Sequence, residues 1–183
     1  SCLERGWHLL KANFWSLVGT TFVLLVVMMI AQSIPILGML VSLLLTGVFY
    51  GGLYLFYLKK VRGQPAELGD AFAGFSLAFL PLMLASLVVT LLTILGMLLL
   101  ILPGIYLAVS YVFVYLLIVD RKLEFWCAME VSRRVITAQW WRVFGLVLLG
   151  GIIALLGVIG LIIGIFITIP IAIAAITYAY EDL

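Results

Sequence analysis

The 183-residue chain is 67% hydrophobic and 10% charged, with ten Lys/Arg, eight Asp/Glu and a net charge of +2. Soluble proteins average roughly 45–50% apolar and about 25% charged, and a soluble exterior needs a polar coat that this chain cannot supply. The composition excludes an ordinary soluble domain. The small net charge, with no basic block interleaved with aromatics, excludes a nucleic-acid partner.

The eighteen charges fall into four clusters, and the stretches between them (residues 12–58, 71–119 and 143–180) carry none. One crossing of the ~30 Å hydrocarbon core takes roughly 20 helical residues, so each stretch can cross and return. The pattern predicts an all-α integral membrane protein: six transmembrane helices as three hairpins, each preceded by an interfacial amphipathic helix. The whole of 1–183 reads as a single membrane domain with pseudo-repeats 1–62, 63–122 and 123–183. Short loops that keep Lys/Arg stay cytoplasmic, which puts both ends of the chain and both long loops inside. All five Trp (Trp7, Trp15, Trp126, Trp140, Trp141) sit beside the charged segments, as an aromatic belt on that interface does. Cys2 and Cys127 then face the reducing side as thiols.

In chain order, residues 3–14 place Leu3, Trp7, Leu10 and Phe14 on one helical face and Glu4, His8 and Lys11 on another. The following apolar stretch has no small-residue cleavage pattern and reads as a span, not as a leader. Spans are expected at 16–31 and 36–58, with a turn at 32–35 and Pro35 in a first helical turn. A loop with Gly63 and Pro65 follows, then a second amphipathic segment carrying Leu68, Phe72, Phe75 and Phe79. Spans three and four are expected at 80–101 and 104–119, parted at Pro103-Gly104. A third amphipathic helix covers 124–142, with Phe125, Met129, Ile136 and Trp140 against Glu130, Arg133 and Arg134. Spans five and six follow at 143–158 and 161–179, with Pro170 predicted to kink the last.

Ile36-Leu37-Gly38-Met39-Leu40 recurs 58 residues later as Ile94-Leu95-Gly96-Met97-Leu98, whereas the first two amphipathic segments align at an offset of 65. The seven-residue disagreement equals two helical turns. Leu/Ile/Gly-rich spans also produce such matches by chance, so the triplication rests on charge placement. Repeats of like orientation argue against an inverted-repeat transporter.

The apolar stretches contain no Asp, Glu, Lys, Arg or His, the usual marks of proton relays and ion coupling. Their Ser and Thr residues fit helix packing better than a permeation path. Small-residue pairs at Gly47/Gly51, Gly150/Ala154 and Gly160/Gly164 are helix-packing candidates, within one bundle or between copies. His8 and two distant Cys give no metal-ligand spacing, and no residue set supports a catalytic centre or a cofactor. Glu67, Asp70, Asp120, Glu124 and Glu130 have nearby cations and read as surface ion pairs. Lys59, Lys60, Arg62, Arg121, Lys122, Arg133, Arg134 and Arg142 lie at the inner headgroup level. They set topology, and they are the lipid-headgroup candidates, at roughly 1 kcal/mol of attraction each to anionic lipid. A specific headgroup pocket is expected where Arg133 and Arg134 approach Lys59 or Arg121.

Leu102-Pro103-Gly104-Ile105-Tyr106-Leu107, Tyr111-Val112-Phe113, Asp120 and Ala128-Met129-Glu130-Val131-Ser132-Arg133 form a pattern. It resembles bacterial multi-pass proteins related to the glycerophosphodiester phosphodiesterase membrane domain, where a similar hairpin precedes an amphipathic helix. Gly6-Trp7, Asn13-Phe14-Trp15, Pro170 and Tyr180-Glu181-Asp182 look similar too. The resemblance implies a bacterial cytoplasmic (inner) membrane location. The soluble phosphodiesterase domain has no counterpart in these residues, so no catalytic residue is carried over. The expected function is a non-enzymatic, lipid-contacting scaffold or assembly module in the anionic inner leaflet, self-associating into a homo-oligomer. The alternative is a pore or passive transporter for a small solute or ion, with the small-molecule substrate unknown.

Overall fold

The structure, a computed structural model, describes residues 2–33, 38, 41–159 and 163–182. Among these residues it is all-helical. An amphipathic first helix, α1 (Cys2–Ala12), meets α2 (Phe14–Gln32) at Asn13. A π-helical turn (Val41–Leu45) leads into α3 (Thr46–Val61). A 3-10 turn (Leu68–Phe72) and the one-turn α4 (Gly74–Leu77) precede α5 (Phe79–Leu99). Then come α6 (Ile101–Ser110), α7 (Val114–Arg121), α8 (Phe125–Ala138), α9 (Trp140–Ile159) and α10 (Ile163–Glu181). Three segments (Phe14–Gln32, Phe79–Leu99 and Ile101–Arg121) are long and apolar enough to cross a membrane, and a fourth joins them if α8 and α9 count as one bent span. Such a set of apolar helices is that of a membrane protein.

The three amphipathic segments end in the same way. Asn13, Ala78 and Gln139 each leave helical geometry at φ −130, −151 and −130° with ψ 36, 38 and 31°, and a new apolar helix starts at the next residue. At the third of these breaks the bend is 98°. Seven residues before each break stands a small buried residue, Gly6, Ala71 or Ser132. Each packs against a later part of the chain or an earlier one. A Cβ on Gly6 would sit 3.2 Å from the Ile171 carbonyl oxygen. The Ala71 backbone closes on Gly52, and the Ser132 hydroxyl donates to the Ser110 carbonyl at 2.7 Å. Thus α1 docks on α10, the 3-10 turn on α3, and α8 on α6 and α7.

Several expectations change in detail. The chain turns at Leu100, extended at φ −164° and ψ 137°, and not at Pro103-Gly104. Pro103 is the third residue of α6, where no intrahelical N–H bond is needed, so it costs nothing there. The segment 104–119 is interrupted at Tyr111–Phe113, because the Val114 N–H bonds to the Tyr111 carbonyl three residues back. That leaves the Ser110 carbonyl for Ser132. The second amphipathic segment is a 3-10 turn and a single helical turn instead of one helix, with Leu68, Phe75 and Phe79 exposed while Ala71 and Gly74 face α3. Pro170 lies inside the last helix, which continues to Glu181. The turn expected at 32–35 lies largely outside the described residues, and the one near Gly160 does so in part.

Buried hydroxyls repair the backbone where helices are irregular. Ser86 inserts into the start of α3: its hydroxyl donates to the Leu43 carbonyl and accepts from the Gly47 N–H, both at 3.2 Å. A side chain placed inside a helical ladder is a recognised cause of such distortion. Thr21 and Tyr57 share a buried hydrogen bond of 2.8 Å that ties α2 to α3, and Thr177 bonds its own Ile173 carbonyl.

Candidate functional site

The apolar helices α3, α7 and α10 all finish in charged residues, and those ends meet. Arg62, just past α3, donates through both terminal nitrogens to the Asp120 carboxylate at 2.6 and 3.0 Å. Its Nε donates to Glu181 Oε1 at 2.7 Å. Tyr180 completes the cluster by donating its hydroxyl to Asp120 Oδ2 at 2.8 Å. The bidentate fork is the geometry in which a guanidinium holds a carboxylate best. The Asp120 hydrogen bond first, then that from Glu181, raises the Arg62 pKa above its ordinary value against the opposing effect of burial, so Arg62 stays a cation. The Asp120 side chain is only 8% exposed, so its charge depends on these partners.

Two further pairs flank the cluster. Arg5 of α1 bonds Asp182 and lies over the Tyr178 ring. Lys59 donates to Asp70 Oδ1 at 2.7 Å, and Asp70 also accepts the Glu67 N–H. Burial pushes the Asp70 carboxyl up, but the Lys59 hydrogen bond, the Glu67 N–H and the Lys59 charge outweigh it and hold the group below the ordinary carboxylate range.

Beside the cluster opens a cavity of about 580 Å³ between α7, α8 and the end of α10. Arg62, Arg121, Tyr180 and Glu181 form its polar end, with Phe113, Leu117, Leu123, Val131 and Val135 as apolar wall. Arg121 is 70% exposed and sits 3.5 Å from Asp120. The volume falls in the range of small-molecule sites.

Of the eight basic candidates, the structure brings Arg62 and Arg121 to this cavity. Lys59 is paired with Asp70, and Lys60 lies 5.9 Å over the Phe56 ring. Lys122 ends α7 in a left-handed conformation at φ 52°. Arg133 lines a separate cavity of about 240 Å³ with Tyr111 and Trp126, while Arg134 bonds Glu130. Arg142 donates to Gln139 at the bend between α8 and α9. Of the small-residue pairs, Gly47 and Gly51 pack within the bundle: a Cβ on either would strike Leu82 of α5. A Cβ on Gly150 would meet Ala172 at an ordinary 3.6 Å, and Ala154 is half-buried. Gly160 lies outside the described residues, as do the surroundings of Gly164. Cys127 is an exposed thiol, and among the described residues no three His, Cys, Asp or Glu side chains gather to hold a metal.

Sequence reasoning singled out Arg62, Arg121 and Asp120 but not Glu181, Tyr180 or Ser132 as site residues. A signal for Glu181 was present: it closes the third apolar stretch, as Asp120 closes the second. The molecule is therefore an all-helical membrane protein whose helix ends are tied by an ion cluster beside an amphipathic cavity. No protein-family model, curated protein or solved structure matches the chain.

Proposed function

We propose that this chain is a six-span, three-hairpin module of the bacterial inner membrane, with its two ends cytoplasmic, acting as a non-enzymatic, lipid-contacting scaffold that self-associates. The observation that carries it is the meeting of Arg62, Asp120 and Glu181 at one end of the bundle. Three helices that end together on one side of a membrane would each need a returning partner, a part that suits the apolar α2, α5 and α9. Like docking of Gly6, Ala71 and Ser132 on Ile171, Gly52 and Ser110 supports three copies of one unit, closed in a ring. The seven extra residues of the first copy then lie between Asn13 and Gly52, which accounts for the two sequence offsets of 58 and 65.

On this reading the charged end is the cytoplasmic face, with α1 and α8 at the headgroup level and exposed Trp15, Trp126 and Trp141 reaching into it. The basic side chains there draw anionic lipid. Phe56 of α3, Val114 of α7 and Ala175 of α10 are all buried, which counts against a pore lined by these residues. The test is purification in mild detergent with lipid analysis and sizing by light scattering. Enrichment of anionic lipid and a defined oligomer are expected. A strict monomer indifferent to anionic lipid would overturn the reading.

A further inference from the structure

The three-unit reading makes the seams between units comparable, and one of them differs. Arg5, Asp70 and Val131 each precede the buried small residue of their segment by one position. Lys59, Leu117 and Tyr178 each stand three residues before Arg62, Asp120 and Glu181. At the seam between the first and second units, Lys59 and Asp70 form an ion pair. At the seam between the third and first, the Arg5 guanidinium lies 4.8 Å from the centre of the Tyr178 ring. At the seam between the second and third, the same two positions are Leu117 and Val131, and both line the 580 Å³ cavity. Two seams are latched by a cation and its partner. The third has lost its latch and holds a space instead.

The chemistry of that space is two-ended. The charged residues lining it are Arg62, Arg121 and Glu181, and Asp120, bonded to Arg62, brings the cluster to neutrality. Arg62 is committed to both carboxylates, and Asp120 is held by Arg62 and Tyr180. Arg121, at 3.5 Å from Asp120 and largely exposed, keeps donors for an incoming oxyanion. Glu181 engages Arg62 through Oε1, leaving Oε2 for a cation. A neutral pair of opposite charges next to an apolar wall matches a zwitterionic amphiphile better than a purely anionic one.

We propose that this seam holds one phospholipid with a phosphoethanolamine headgroup, its phosphate on Arg121, its ammonium on Glu181, and its first acyl methylenes against Leu117, Val131 and Val135. The cavity accommodates the headgroup and the start of the chains, and the remainder runs into the bilayer beside α7 and α8. The lipid replaces the missing latch. It differs from the diffuse attraction of the basic face for anionic lipid, and it rests on the three-unit reading proposed above.

The test is native mass spectrometry of the full chain released from detergent with phosphatidylethanolamine or phosphatidylglycerol of equal chain length. The wild type should retain one phosphatidylethanolamine and hold phosphatidylglycerol at least tenfold more weakly. The double variant Leu117→Lys/Val131→Asp installs the latch of the first seam and should abolish retention. Arg121→Gln, an exposed change that leaves the fold intact, should weaken retention roughly tenfold. Val135→Trp fills the wall and should act like the double variant, with thermal unfolding confirming that each variant is folded. No retained lipid in the wild type, equal retention of both lipids, or unchanged retention in Arg121→Gln would overturn the proposal. A protein that retains phosphatidylethanolamine yet stays monomeric and indifferent to bulk anionic lipid would sink the scaffold reading and leave the seam site standing.

Discussion

Replacing Arg62 by Met removes the guanidinium that three helix ends share and leaves Asp120 with the Tyr180 hydroxyl and the exposed Arg121 at 3.5 Å. Breaking a fully buried ion pair costs about 3–5 kcal/mol, and breaking an exposed one about 0–1 kcal/mol. Asp120 is 8% exposed and Arg62 36%, so the pair falls between these limits, nearer the buried one. We expect Arg62→Met to cost about 2–3 kcal/mol, discounted for the exposed third of the arginine. Adding Asp120→Asn removes the stranded charge and leaves an amide for Tyr180, so the double variant should be no less stable than Arg62→Met alone. Glu181→Gln, which spares the bidentate pair, should cost under about 1 kcal/mol. The assay is reversible unfolding in mixed micelles, fitted for the wild type, both single variants and the double. Penalties of Arg62→Met and Asp120→Asn that simply add would refute the claim that Asp120 depends on Arg62.

Gly52→Ala would place a Cβ 2.1 Å from the Ala71 carbonyl oxygen. It should destabilise by about 2 kcal/mol or more in the same assay, while Gly151→Ala, with nothing within 4 Å, should be neutral or better. Ser86→Ala strands the Leu43 carbonyl and the Gly47 N–H and should cost about 1–2 kcal/mol, with faster amide exchange at Gly47. Asp70 has a depressed folded-state pKa, so its contribution is present above the ordinary carboxylate value near ~4 and is lost as pH falls through the folded value. The melting temperature should therefore drop more steeply for the wild type than for Asp70→Asn between about pH 6 and about pH 3.

The helices themselves were legible because their signal is local: long apolar runs bounded by charge, and Trp, Leu and Phe recurring at helical spacing. Individual breaks were less so. Pro103 looks like a turn by type, yet a first helical turn accepts it without loss, and the chain bends three residues earlier at Leu100. The second amphipathic segment carries helical periodicity in Leu68, Phe72, Phe75 and Phe79, but Ala71 and Gly74 on its other face let the backbone close on α3 as a tighter turn. Pairing among charges was the least legible part. Arg62 is 58 residues from Asp120 and 119 from Glu181, and only the packing of three helices decides which carboxylates it meets. The expected meeting of Arg133 or Arg134 with Lys59 or Arg121 assumed that cations gather around a headgroup. Arg134 instead took Glu130, one turn away on its own helix, and Arg133 faces Tyr111.

On the three-unit reading proposed above, the three equivalent helix ends that meet at one place cannot all carry the same charge. Two unit charges of like sign ~4 Å apart repel by about 4 kcal/mol at an effective dielectric of 20, and three compound the cost. A ring of three identical chains would need neutral residues there, or would stay apart. On that reading one chain holding three copies can write a different residue at each, and the ends carry Arg62, Asp120 and Glu181, so repulsion becomes a bidentate fork and a second ion pair. The same freedom applies one turn earlier, where Lys59 and Tyr178 meet Asp70 and Arg5 but Leu117 and Val131 line the cavity. If the three units close in a ring, two latched seams leave the third free to do without a latch, because Arg62 and Tyr180 still reach across to Asp120. On the three-unit reading, divergence among the copies makes room for a site, and the cavity lies at the seam that carries Leu117 and Val131.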